Sequence, residues 1–81
     1  METITGVITE VRTARHTIYG NPIKSVTLSL ADEYGEWSPS FETLPNAQLG
    51  YMVGNYTGKA VVITIKNYRG TPRIESVELA N

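Results

Sequence analysis

The 81-residue sequence contains no cysteine, one histidine, one tryptophan and one phenylalanine. Without cysteine there is neither a disulfide nor a thiolate metal site, and His16 alone cannot build a metal cluster. No apolar run approaches the roughly 18 residues of a membrane span. The opening METITGVITEV has no basic region followed by an apolar core, so no signal peptide is expected. These absences lead to the expectation of a cytoplasmic domain with no membrane association. Catalytic signatures are missing too: no Walker loop, no G-x-G-x-x-G, no G-x-S-x-G, and no nucleophile beside an oriented base. The reading is a non-enzymatic protein without a cofactor. Asp32, Glu33 and Glu36 lack the spacing of a calcium loop, so they read as a solvated acidic turn. With no secretion signal, Asn55-Tyr56-Thr57 reads as a chance match to a glycosylation acceptor.

An excess of charge of one sign is also absent. Seven Lys and Arg face eight Asp and Glu, for a net charge of −1, which argues against coating nucleic acid through bulk charge. What is present is segregation. Six of the seven basic residues fall in two windows, Arg12, Arg15 and Lys24, then Lys66, Arg69 and Arg73. Four of the eight acids, Asp32, Glu33, Glu36 and Glu42, lie between them. A fold that joins the two windows creates a positive patch.

The apolar pattern is that of strands. In residues 60–79, Val61, Ile63 and Ile65 share one parity in a β-branched run, and Val77 and Leu79 resume the alternation after a Gly- and Pro-bearing loop at residues 67–72. This is the clearest hairpin of the chain. Residues 3–13 read as one long first strand, with Gly6 marking a bulge or bend. A loop at residues 16–22 leads to a second strand at 23–31, with Val26, Leu28 and Leu30 inward. A polar turn precedes a third strand at 36–44, weakened by Pro39. Asn46 is a candidate N-cap for a short, irregular helix over 47–56, where Leu49, Met52 and Val53 have helical spacing against Gly50 and Gly54. Hydrophobic content of 41% suits a single small domain over residues 1–81. The segments at 20–28 and 70–79 also echo one another, each running Gly-x-Pro, Ile, then Ser-Val-x-Leu; convergence of turn chemistry is the simpler account.

Five strands with a short helix between the third and fourth resemble the OB-fold, a five-stranded Greek-key barrel. The bent first strand with Gly6 and the Tyr56-Thr57-Gly58-Lys59-Ala60-Val61 lead into strand four are similar to that family. An SH3-like barrel is the structural alternative. The resemblance implies an all-β fold in which the loop after strand one (residues 15–21) and the loop between strands four and five (residues 67–72) flank one binding face. It also implies single-stranded DNA or RNA as partner, with aromatics stacking bases and cations following the backbone.

The candidate binding residues are then Arg12, Arg15, Tyr19, Lys24, Trp37, Lys66, Tyr68, Arg69 and Arg73. Tyr68 and Arg69 stack a base and hold a phosphate, or else cover the barrel rim beside solvent; Tyr19 has the same two readings. Trp37, Pro39 and Phe41 share a parity. Outward they form a stacking platform; inward they form core, which is preferred because so small a domain needs the area. In the inward case Glu42 faces out and repels phosphate. Tyr34, Tyr51 and Tyr56 read as packing residues. Replacing Arg69 and Arg73 by alanine is expected to weaken binding and flatten its salt dependence. The competing function is a protein–protein adaptor or inhibitor on the same barrel, using an exposed Trp37/Phe41 edge or an edge strand. Self-association through such an edge gives a homo-oligomer as a third arrangement.

Overall fold

The computed structural model describes residues 2–80, with the backbone alone at Asp32. The chain runs β1 (Glu2–His16), β2 (Pro22–Asp32), β3 (Gly35–Trp37), β4 (Ser40–Thr43), α1 (Ala47–Met52), a 3-10 turn (Val53–Tyr56), β5 (Ala60–Tyr68) and β6 (Thr71–Leu79). The strands neighbour in the order β1-β5-β6-β4-β2, and β2 pairs back onto β1, so the sheet closes into a five-stranded Greek-key barrel. Every pairing is antiparallel except β4 with β6. The architecture is all-β with one short helix, and it is compatible at a coarse level with an OB-like arrangement.

Closure depends on β1, which pairs with β5 from Glu2 to Val7 and with β2 from Val7 to His16. The register slips at Thr9 and at Ala14, two bulges that sharpen the local twist of this strand. Gly6, expected to mark a bulge or bend, is in register opposite Val61, one residue before β1 passes from β5 to β2. A Cβ at Gly6 would lie 2.4 Å from Leu30 Cδ2, so glycine here makes room for Leu30.

Alternation fills the barrel as the β-branched runs require. Val61, Ile63 and Ile65 of β5, Val26 and Leu28 of β2 and Ile8 of β1 are buried in one cluster. On β6 the inward residues are Ile74 and Val77, three apart, because Glu75 is an extra residue in the ladder: Thr64 faces Ser76 and Ile65 faces Ile74. Leu79, expected to share the alternation, pairs with Val61 near the C-terminal end of β6 and is exposed.

The expected third strand divides at Ser38-Pro39 into β3 and β4. Proline has no N–H to give to a ladder, and its carbonyl accepts from Leu28 N–H instead. Phe41 packs against the core, as the inward reading requires. Trp37 does not follow it. It pairs with Leu30 on the short β3 flap, outside the closed barrel, and is 46% exposed. The core placement of Trp37 is therefore corrected.

Asn46 caps α1, its Oδ1 accepting the Leu49 N–H at 3.0 Å. The helix continues into the 3-10 turn, and Leu49 and Val53 enter the core cluster. Gly50 is buried against β2: a Cβ there would stand 2.6 Å from the Pro22 carbonyl oxygen.

Candidate nucleic-acid interface

Two β-hairpins bring the basic windows to one region. Reading Cα partners across four ladders gives a continuous row: Arg12 faces Ser25, Ser25 faces Glu42, Glu42 faces Arg73, and Arg73 faces Lys66. Directly opposed residues share a face of the sheet. The neighbouring register holds Val11, Val26 and Phe41 on one side and Thr43, Ile74 and Ile65 on the other, all on the core side. The row therefore lies on the outer surface.

Arg15 joins it through the bulge at Ala14. By simple alternation Arg12 and Arg15 would point to opposite faces. The extra residue restores parity, so Arg15, opposite Ile23, falls on the same side as Arg12 opposite Ser25. Its Nη1 donates to both carboxylate oxygens of Glu42 at 2.9 Å. Arg73 Nη1 donates to Oε1 of the same carboxylate from the other side. Arg73 is the most enclosed of the three side chains at 16% exposure, against 34% for Glu42 and 49% for Arg15. Burial tends to raise the Glu42 pKa, but the hydrogen bond and charge of Arg15 and the charge and bond of Arg73 outweigh it. The carboxyl is held below its usual value.

The β5–β6 hairpin supplies the opposite flank. Lys66 and Tyr68 share the outward parity, and the two turn residues Arg69 and Gly70 both have positive φ, 53° and 81°. That is the signature of a type I′ turn, whose twist matches the flanking strands. Asn67 Oδ1 accepts the Gly70 N–H at 2.9 Å and braces it. An arginine in the left-handed region costs roughly 1–2 kcal/mol, and backbone strain of this kind concentrates at functional positions. The conformation sets the Arg69 guanidinium over the Tyr68 ring, 5.4 Å from its centroid. The other hairpin loop carries Ile18 and Tyr19, exposed to 93% and 84%. Arg69 lies three residues beyond Lys66, and His16 four beyond Arg12, so both tips rise roughly 10 Å or more past the row.

Two of the expected residues are placed elsewhere. Lys24 has the parity of Val26, on the far side of β2 from Ser25, and its Nζ donates to Thr13 Oγ1 at 2.7 Å. Trp37 pairs with Leu30, five residues along β2 from Ser25, or roughly 17 Å. Neither belongs to the row. The remaining seven are Arg12, Arg15, Lys66 and Arg73 on or beside it, and Tyr19, Tyr68 and Arg69 at its two flanks. The expectation that Glu42 faces outward holds, with an added feature: it is a partner of Arg15 and Arg73, which removes them as free cations. The exposed Ile18 was legible only as part of a Tyr- and Gly-containing loop.

The site is an open surface. Two surface depressions, of about 350 and 270 Å³, are lined by Glu2, Ile65, Asn67 and Pro72, and by Asn46 with residues of α1 and β6, with no cation of the row among them. The acidic Glu33 and Glu36 sit at the β2–β3 turn, at the opposite end of β2 from the row, in a molecule 42 Å long. Among the described residues, no helix is long and apolar enough to cross a membrane. Neither a family model, nor a curated protein, nor a solved structure matches this chain.

Proposed function

We propose that the chain is an OB-type, non-catalytic binding module for single-stranded DNA or RNA. The observation that carries this reading is the row Arg12–Ser25–Glu42–Arg73–Lys66, which places cations from both sequence windows on one outer face. Phosphates are neutralised at the flanks, by Arg12 on one side and by Lys66 and Arg69 on the other. Tyr68 and Tyr19 offer aromatic surface for one base each. An open face between two hairpin tips suits a flexible strand better than an enclosed small molecule. With about three phosphate contacts, log–log salt dependence has a slope near −2, from roughly 0.7 per contact on single strands.

The test is anisotropy of a labelled short oligo-dT with the native chain and with Arg12→Ala/Lys66→Ala. The double variant is expected to bind more weakly with a slope shallower by about 1.4. Equal affinity and slope would remove the face from the interface.

The second reading is a protein-binding adaptor, favoured by a separate observation. β3 stands last in the strand order and carries Trp37, half-exposed, beside the acidic turn. A partner strand would add to that edge, and binding there would be indifferent to the arginine substitutions.

A further inference from the structure

Glu42 stands at the centre of the cationic row, and two guanidinium groups converge on it. Arg15 Nη1 reaches both carboxylate oxygens at 2.9 Å, and Arg73 Nη1 bonds Oε1. Paired arginines aimed at one anion are the arrangement with which proteins take a phosphate. Here the chain's own carboxylate holds that position. A phosphate entering the same place has to displace Glu42 or lie against its charge, and Arg73, 16% exposed, cannot swing away to meet it elsewhere.

Resting on the single-strand reading above, we infer that Glu42 is the specificity-determining residue of this face. It fills the anion site formed by Arg15 and Arg73, keeps phosphates to the Arg12 flank and the Lys66–Arg69 flank, and leaves the centre to bases. The face then engages about three phosphates in place of the five that its arginines and lysine would otherwise reach. Glu42 stays ionised at neutral pH because its two partners favour the charged form.

Glu42→Gln tests this with shape and one acceptor oxygen retained, its fold checked by thermal unfolding. Two probes are used on the full chain: labelled oligo-dT, and inorganic tripolyphosphate followed through the arginine Nε–H resonances. The native protein is expected to show tripolyphosphate shifts at Arg12 and Arg69 while Arg15 and Arg73 stay still. In Glu42→Gln, Arg15 and Arg73 shift as well, oligo-dT binds roughly fivefold more tightly, and the salt slope steepens by about 1.4. Where the native protein binds oligo-dT, unchanged or weaker binding by the variant would overturn the inference. So would movement of Arg15 and Arg73 in the native protein, a result that does not depend on the variant folding. If neither protein binds oligo-dT yet tripolyphosphate still separates them, the single-strand reading falls and the assignment of Glu42 stands.

Discussion

Arg15 and Arg73, one from each basic window, donate to the same oxygen of Glu42. The meeting is made by topology. β4 lies between β2 and β6, so its one outward carboxylate is flanked by the arginine-bearing hairpins on both sides. Charge that is separated along the sequence is thereby gathered into a short cluster with a single net positive charge, and Arg12, Lys66 and Arg69, which have no ion pair among the described residues, are left at its edges.

The cluster gives stability a defined pH dependence. The folded-state pKa of Glu42 is depressed below 4.5, so its contribution is fully present above that value and is lost as pH falls through the folded value. Urea melts of the native chain between about pH 6 and pH 3 should show an acid-side loss of stability that is smaller in Glu42→Gln. Identical acid limbs would mean that the carboxylate gains nothing from its two arginines.

Arg69 should show stability and binding moving in opposite directions. Arg69→Asn relieves a left-handed arginine in a turn that favours Asn-Gly. The expected result is a gain of up to about 1 kcal/mol, together with weaker oligo-dT binding and a slope shallower by roughly 0.7. Thermal unfolding and anisotropy on the same preparation check both halves.

Two glycines on one helical segment should respond differently to alanine. At Gly50 the new Cβ meets the Pro22 carbonyl oxygen at 2.6 Å, a backbone atom that cannot move away cheaply. Gly50→Ala should cost about 1–3 kcal/mol. At Gly54 nothing lies within 4 Å, and alanine should be neutral or stabilising by up to about 1 kcal/mol. On a domain of this size each kcal/mol moves Tm by about 4–8 °C, so the pair is separable by calorimetry.

Trp37 provides a control on location. Half-exposed on the β3 flap and roughly 17 Å from the row, it should be accessible to iodide in the free protein and should remain so when oligo-dT is bound. Loss of quenching on binding would move the interface to the flap.

Much of this was legible in the sequence, and the failures have two causes. Val61, Ile63 and Ile65 announced β5 through period-two alternation, and Asn46 announced the helix start through its side-chain chemistry. Leu79 and Trp37 broke the expectation because parity assigns a side chain to a face, whereas burial also needs the face to be covered. Both lie where the closed barrel no longer covers them. Bulges were the second obstacle. Nothing in Thr13-Ala14-Arg15 shows that Ala14 is an extra residue, yet that residue brings Arg15 to the face of Arg12. Lys24 shows the reverse: with no bulge to shift it, alternation takes it off the face. Glu42 as an outward residue was readable from the parity of Phe41; its two arginine partners required the β2-β4-β6 neighbourhood, which no local pattern contains.

The most direct test of the account is anisotropy of a labelled short oligo-dT with the native chain, titrated with salt from about 50 to about 200 mM. The account predicts saturable binding that weakens with a log–log slope near −2, matching three flank cations with Arg15 and Arg73 occupied by Glu42. Absence of binding at the low-salt end, or binding that salt does not weaken, would contradict it.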